Sequence, residues 1–271
     1  MTTTATPGFT DDRLLEVWGA QVRPRVLVAG EGPPLVYLHA VFGLAWDPFI
    51  EALTQTHTVY APEHPGTSPG DPDAAKPLED LRDLVLYYDE VLDALGLEQA
   101  ALVGDSFGAM VAAELAAHAP KRVSKLVLLS PIGLWRDDLG WNNPLVMDFP
   151  TLGRHAFADP EGPVVRAMLT LPEDPDAQVE AIVGITWSMA TTAKFFWPLP
   201  DRGLNKRLHR VTAPTLVVFG EQDGIVLPAY AEEFSGRIRG ARAEVLTRAG
   251  HVPQLERLDA VGPMVTEFLR S

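Results

Sequence analysis

The chain of 271 residues contains no cysteine. This absence excludes disulfide bonds, thiolate nucleophiles and cysteine-ligated metals. Basic residues are also few, because 22 Lys and Arg stand against 36 Asp and Glu and give a formal net charge of −14. A partner with a phosphate backbone requires a basic face, so this charge disfavours nucleic acid and anionic membranes as partners. We therefore expect the partner to be a small molecule.

The sequence also lacks a long apolar stretch, since no run reaches the ~18 residues that a membrane-spanning helix requires. Residues 1–8 have neither the basic start nor the apolar centre of a secretory signal, which predicts a cytoplasmic protein. A mature exported form would have the same sequence. No His-x-x-x-His metal motif and no G-x-G-x-x-G dinucleotide motif is found, so the sequence predicts no metal and no cofactor. It predicts no particular oligomeric state.

Short apolar runs alternate with helical segments, which predicts an α/β fold with a doubly wound, mostly parallel sheet of about eight strands. Residues 126–129 and 216–219 are continuously apolar, as expected for parallel strands covered on both faces. The first two strands have no helix between them and should pair antiparallel at an edge. The predicted strands are 15–19, 25–28, 35–39, 58–61, 101–104, 125–129, Thr215–Gly220 and 243–246. The predicted helices are 47–54, 78–95, Phe107–His118, 228–234 and 261–269.

The alternation stops between residues 130 and 210, where short helical pieces are separated by Pro and Gly. We interpret this insertion as a helical cap, with residues 1–132 and 209–271 forming the core and residues 133–208 the cap. Large aromatic side chains in the cap are candidates for lining a substrate pocket, and packing of the cap onto the core is their alternative role. The predicted substrate-binding residues are Trp135, Trp141, Trp187 and Trp197 in the cap, with Phe42 and Val252 in the core.

The pentapeptide Gly104-Asp105-Ser106-Phe107-Gly108 is the most informative stretch. A strand-like run precedes it and an alanine-rich, helix-like run follows it. A serine on such a sharp turn is exposed at the top of a sheet. Glycine suits the turn because it has no Cβ to clash, and the following helix directs its N-terminal N–H groups at the site. The context favours a nucleophilic serine over a chance match in an ordinary loop.

Two downstream segments provide what such a serine needs. Asp223 follows the predicted strand Thr215–Gly220, and His251 follows the predicted strand 243–246. Both lie at carboxyl ends of parallel strands, which is the edge of the sheet where Ser106 is expected. A serine hydroxyl needs an adjacent base, so His251 would take its proton and Asp223 would orient the His251 ring. Glu221 is the alternative acid.

With these motifs the chain resembles the α/β-hydrolase superfamily over residues 35–268. The segments that carry the resemblance are 38–43, 61–66, 104–108, 213–220 with Asp223, and 250–251. The resemblance implies the fold of that superfamily, a serine nucleophile and catalysis without a cofactor. It favours Asp223 over Glu221 as the acid because of its spacing from Gly220.

The resemblance also implies an oxyanion hole formed by the backbone N–H groups of Phe107 and Val41, with Ala40 as the alternative to Val41. Family members commonly have His-Gly where this chain has His39-Ala40, which leaves the register of that loop open. His39 is expected to anchor the loop. At His64 many relatives have an apolar residue; we interpret His64 as a structural or surface residue, with a position at the mouth of the site as the alternative.

The serine at the centre of the pentapeptide argues against dehalogenases and epoxide hydrolases of this fold, which use Asp as the nucleophile. Carbon–carbon bond hydrolases usually carry Asn before the serine and Trp after the histidine, where this chain has Asp105 and Val252. The resemblance therefore favours a carboxylesterase for small to medium apolar esters. A carbon–carbon hydrolase, a cofactor-free haloperoxidase-like enzyme and a non-catalytic ligand receptor are the alternatives. Asp105 would disfavour anionic substrates if it faces the pocket.

Overall fold

A computed structural model describes residues 8–68, 71–198 and 201–271. Within these ranges eight strands form one sheet in the order β1-β2-β4-β3-β5-β6-β7-β8. β2 pairs antiparallel with β1 and with β4, and the remaining neighbours are parallel. The strands are β1 (Asp11–Leu14), β2 (Arg25–Ala29), β3 (Pro34–Leu38), β4 (Thr58–Pro62), β5 (Ala100–Asp105), β6 (Val123–Leu129), β7 (Thr215–Gly220) and β8 (Arg242–Leu246). The predicted α/β fold is confirmed.

Alternate residues of the central strands face opposite sides of the sheet, as the period of two in a strand requires. Val36 and Leu38 of β3 belong to the core on one side, whereas Leu35 and Tyr37 belong to the core on the other side. β5 lies between β3 and β6 and is buried along its whole length. The end of β5, where the pentapeptide begins, is therefore held firmly in the middle of the sheet.

Helices cover both faces. α1 (Pro48–Thr54) and α9 (Leu258–Arg270) pack on one side, and α2 (Leu81–Ala94), α3 (Phe107–His118) and α7 (Tyr230–Arg237) pack on the other. The short α8 (Pro253–Glu256) precedes α9, and a 3₁₀ helix at Pro120–Arg122 precedes β6.

Side-chain caps fix where two of these helices begin. Asp47 accepts the Ile50 N–H at 2.7 Å before α1, and Asp80 accepts the N–H groups of Arg82 and Asp83 before α2. The cap at Asp80 explains why α2 begins at Leu81 and not at the predicted position 78.

Between β6 and β7 the chain forms α4 (Phe149–Ala156), α5 (Pro163–Leu169), α6 (Pro175–Phe196) and 3₁₀ helices at Pro144–Val146, Leu204–Lys206 and Leu208–Arg210. α6 has 22 residues and is longer than the short pieces predicted there. Apart from an isolated bridge between Arg136 and Leu139, the described part of this segment contains no strand pairing. We propose that residues 133–208 form a cap on the core of residues 1–132 and 209–271. In the described ranges no helix is long and apolar enough to cross a membrane.

The predicted first strand is wrong in position. The structure places β1 at Asp11–Leu14, and the predicted strand 15–19 runs into a tight turn at residues 18–21 that is closed by a bridge between Val17 and Val22. Trp18 in this turn has a φ of 56°. β1 lies at the solvent-exposed edge of the sheet, so its sequence lacks the apolar pattern of a covered strand. Its antiparallel pairing with β2 agrees with the prediction. Residues 1–7 of the stretch used for the targeting prediction lie outside the described residues.

Candidate active site

Ser106 occupies the turn between β5 and α3 with φ of 53° and ψ of −109°. This φ lies in a region that non-glycine residues seldom adopt, which is typical of strained functional positions. The flanking glycines make the turn possible. A Cβ on Gly104 would lie 2.5 Å from the Gly108 oxygen, and a Cβ on Gly108 would lie 2.0 Å from the Leu38 oxygen. The close approach of α3 to β3 and β5 therefore requires glycine at both positions.

Ser106, His251 and Asp223 form one hydrogen-bonded chain. The Ser106 Oγ lies 2.9 Å from the His251 Nε2, and the His251 Nδ1 lies 2.8 Å from the Asp223 Oδ2. The other Asp223 oxygen accepts the N–H groups of Ile225 and Val226, both at 2.9 Å. A carboxylate can only accept, so the His251 Nδ1 carries the proton and Nε2 is free to accept from the serine. The arrangement suits proton transfer from Ser106 to His251.

The alternative acid, Glu221, has an exposed side chain, whereas Asp223 is buried beside the histidine. Burial of His251 by itself lowers its pKa, but Asp223 stabilises the imidazolium and the net effect raises the pKa above its ordinary value of 6.5. The nearby Asp105 acts in the same direction as Asp223.

The end of α4 holds the loops that carry the acid and the base. The Gly224 N–H donates to the His155 carbonyl at 2.8 Å, and the His251 N–H donates to the Ala156 carbonyl at 2.6 Å. A Cβ on Gly250 would lie 2.4 Å from the same Ala156 oxygen. Two consecutive carbonyl groups of one helix therefore fix the positions of both loops relative to each other.

A buried histidine pair supports the loop after β3. The His64 N–H donates to the His39 Nε2 at 3.0 Å, which leaves the proton on the His39 Nδ1, and that group donates to the Ala40 carbonyl at 2.7 Å. The His64 Nε2 donates to the His39 carbonyl at 2.8 Å, so its Nδ1 accepts from the Tyr88 hydroxyl at 2.5 Å. These partners assign one tautomer to each ring. His64 is fully buried, in agreement with a structural role and not with a position at the mouth of the site.

Both histidines of this pair are uncharged near neutral pH. Burial lowers the pKa of His39 to about 4, and burial together with the neighbouring His39 lowers the pKa of His64 well below its ordinary value. The Ala40 carbonyl that His39 holds belongs to the same peptide group as the Val41 N–H. The pair thereby orients the predicted oxyanion donor. His39 anchors the loop, as expected.

Two neighbouring cavities lie at this end of the sheet, and one of them is lined by the serine. The first, which we call the serine cavity, has a volume of about 40 Å³ and is lined by Ser106, His251, Val252 and Phe42 among others. The second, which we call the side cavity, has a volume of about 520 Å³. Its apolar walls include Leu44, Trp46, Phe149, Met168, Ile185 and Leu258, and its polar lining consists of Tyr37, His39, Asp47, Asp105 and Gln254.

The structure brings only part of the predicted substrate-binding set to the serine. Phe42 lines both cavities and Val252 lines the serine cavity. The other four predicted residues line neither of these two cavities: Trp135, Trp141, Trp187 and Trp197.

These tryptophans make contacts elsewhere or are exposed. Trp141 is partly buried with its ring centroid 6.5 Å from that of Phe196, and the Trp135 indole donates to the Asp137 carboxylate. Trp187 and Trp197 are about half exposed. Trp46, which the sequence did not indicate, lines the side cavity instead.

The walls that the cap contributes come from α4, α5 and α6 through Phe149, Met168 and Ile185. These positions carry no local sequence signal beyond being apolar. In the described part of the chain, no three His, Asp or Glu residues are grouped in a way that could hold a metal ion.

Comparison with known proteins identifies the family to which the chain belongs. Residues 33–258 match the family model for the alpha/beta hydrolase fold. The chain is 26% identical to the carboxylesterase YbfK of Bacillus subtilis, with 88% of this chain and 81% of that protein covered. The crystal structure of a 2-hydroxy-6-oxo-6-phenylhexa-2,4-dienoate hydrolase from Rhodococcus sp. is similar with a TM-score of 0.75 and 25% identity, over 96% of this chain and 99% of that one.

A much larger protein also matches. Over 97% of its length the chain is 29% identical to a polyketide synthase of Burkholderia thailandensis, but it spans only 13% of that relative. The similarity therefore concerns one part of the synthase.

Proposed function

Because the chain belongs to the α/β-hydrolase fold family, we propose that it is a serine hydrolase that cleaves small to medium apolar carboxylic esters. The observation that carries this proposal is the hydrogen-bonded chain from the Ser106 Oγ through His251 to Asp223. A nucleophile, a base and an orienting acid within hydrogen-bond distance are what acyl transfer through serine requires.

The reaction follows from these contacts. The Ser106 Oγ bonds to the ester carbonyl carbon while its proton passes to the His251 Nε2. The backbone N–H groups of Phe107 and Val41 stabilise the oxyanion that forms. The tetrahedral intermediate collapses by breaking the carbon–oxygen bond to the alcohol, which takes the proton from His251. Water then attacks the acyl group, gives its proton to His251 and releases the acid, and the proton returns to Ser106.

The cavities support an apolar substrate. The serine cavity is closed by Leu152, Ile225 and Val252, and the side cavity has mostly apolar walls. An ester with an aliphatic or aromatic group fits such a lining because burial of that group removes apolar surface from water.

A carbon–carbon bond hydrolase is the second candidate, because the similar Rhodococcus protein bears such a substrate in its name. Asp105 and Val252 stand where such enzymes usually have Asn and Trp. Among the residues that the structure describes, the side cavity is lined by two carboxyl groups and by no Lys or Arg. This lining disfavours a substrate that carries a carboxylate, such as a dienoate.

The test is labelling with a fluorophosphonate, followed by mapping of the modified residue. We expect the label on Ser106 in the wild-type protein and no label in Ser106→Ala, with both proteins equally folded by circular dichroism. A panel of p-nitrophenyl esters, a dienoate and a halide with hydrogen peroxide then separates the candidate reactions. An unlabelled wild-type protein would favour a ligand receptor and contradict the proposal.

A further inference from the structure

The serine cavity is small, with a volume of about 40 Å³. The side cavity is more than ten times larger and shares five lining residues with it: Ala40, Phe42, Asp105, Met168 and Leu169. When a substrate is held at Ser106, its larger group can therefore extend into the side cavity.

The polar lining of the side cavity is acidic. It includes Asp47 and Asp105 and no Lys or Arg among the described residues. The Asp47 carboxylate already has a hydrogen-bond partner, because it caps α1 by accepting the Ile50 N–H at 2.7 Å. Asp105 differs: it is only 5% exposed, and its Oδ1 is buried without a hydrogen-bond partner. Gln254, which is 1% exposed, likewise has an unpartnered Oε1.

Two unpaired acceptors beside one cavity are unusual, because a buried polar atom without a partner destabilises the fold. Burial raises the pKa of Asp105 to about 7, although His251 and a hydrogen bond with Gln254 act in the opposite direction, so the carboxyl group is ionised above neutral pH. A donor supplied by a ligand would satisfy both acceptors. An anionic ligand would add a further negative charge beside Asp47 and Asp105 and would be rejected.

We propose that the side cavity binds the larger group of the substrate and that Asp105, with Gln254, accepts a hydrogen bond from a hydroxyl or ammonium group on it. The substrate is then an apolar ester that carries a hydrogen-bond donor, and esters that carry a carboxylate are excluded. This inference rests on the proposed esterase function and adds the class of substrate to it.

The test compares p-nitrophenyl esters of four to eight carbons that end in methyl, hydroxyl, ammonium or carboxylate, at pH 8. A second series carries the same end groups on the alcohol, with an acetyl group as the acid, which shows which side of the ester enters the cavity. In the wild-type protein we expect kcat/KM to be about tenfold higher for a hydroxyl or ammonium end than for methyl, and at least about tenfold lower for carboxylate.

The variant Asp105→Asn keeps the size of the side chain and removes the charge. We expect it to lose the preference for ammonium and to reduce the discrimination against carboxylate about tenfold. An unchanged ranking in folded Asp105→Asn would overturn the proposal, as would a wild-type enzyme that treats all four end groups alike.

A second variant tests the cavity without changing Asp105. Val164 lines the side cavity but not the serine cavity, and Val164→Trp narrows it. We expect the ratio of kcat/KM for octanoate over acetate to fall about tenfold in this variant. Val179→Trp is the matched control, since Val179 is 60% exposed on α6 and lines neither cavity, and it should keep the wild-type ratio. Equal ratios in the two variants would contradict the proposal.

Different results would contradict the proposed esterase function and the role of the side cavity. If Ser106→Ala hydrolyses the panel as fast as the wild-type protein, the proposed esterase function is wrong. If hydrolysis depends on Ser106 but no end group is preferred, the assignment of the side cavity alone is wrong.

Discussion

The Ser188 hydroxyl donates a hydrogen bond of 2.8 Å to the Val41 carbonyl. Ser188 lies on α6, and Val41 lies in the loop after β3 that is predicted to form the oxyanion hole. Ser188 is buried, so no water competes for this hydrogen bond. The long helix of the insertion therefore holds the oxyanion loop from one side, while His39 holds it from the other through the Ala40 carbonyl. The loop is fixed on both sides although Ala replaces the usual Gly.

Ser188→Ala should lower kcat with little change in KM, because it removes a bond that positions a transition-state donor and does not touch the substrate. A net value of about 1 kcal/mol for one hydrogen bond predicts a loss of about fivefold. Ser188→Thr should restore part of the rate. Thr192→Val is the matched control, since the Thr192 hydroxyl donates within α6 to the Ser188 and Met189 carbonyls. A similar loss of kcat in both variants would indicate a general effect on α6.

Asp223→Asn should lower kcat/KM by at least about a hundredfold, because it removes the group that fixes the His251 tautomer. The pH profile gives a second readout. In the wild-type enzyme kcat/KM should rise with a midpoint above pH 6.5, since the pKa of His251 is raised in the fold. Without the Asp223 charge the imidazolium is less stable, and the midpoint should move to lower pH. Glu221→Gln, at an exposed position, should change neither quantity. A larger loss in Glu221→Gln would identify Glu221 as the acid.

Gly250→Ala should destabilise the protein and reduce its activity, because the new Cβ would lie 2.4 Å from the Ala156 oxygen and displace the loop of His251 from α4. We expect a loss of about 2 kcal/mol in the free energy of unfolding, measured by urea denaturation. Gly184→Ala on α6 provides the contrast: its Cβ would meet no atom within 4 Å, so helix propensity should stabilise the protein by up to about 1 kcal/mol. Equal stability of the two variants would contradict the proposed contact.

The sequence predicted the sheet and the hydrogen-bonded chain at Ser106 because these depend on local patterns. Apolar runs indicate covered strands, and polar residues that follow them at Asp223 and His251 must lie at one sheet edge. The contact of Ser188 with Val41 joins residues 147 positions apart, and no local pattern indicates it. The same holds for the side cavity, whose walls depend on how three helices of the insertion are placed. Aromatic residues alone were a poor guide to that cavity, since Trp187 is half exposed.

The stability of Asp105→Asn as a function of pH tests whether the buried Asp105 carboxyl group, whose Oδ1 has no hydrogen-bond partner, destabilises the folded state. Burial raises the pKa of Asp105 to about 7 from an ordinary value of 3.8, so the unfolded chain loses this proton first as the pH rises. The Asp105 carboxyl group therefore lowers the free energy of unfolding as the pH rises from 4 to 7, by about 4 kcal/mol at most, and has no effect below pH 4.

The lowered pKa of His39, about 4, has the opposite effect, because the unfolded chain binds its proton first as the pH falls below 6.5. The contributions of Asp105 and His39 to the pH dependence of stability therefore have opposite signs. Asp105→Asn removes only the first, so its free energy of unfolding should exceed that of the wild-type protein at pH 8 and approach it at pH 4, as measured by urea denaturation at each pH. A variant that is less stable than the wild-type protein at pH 8 would show that the Asp105 carboxylate has a stabilising partner in the folded protein.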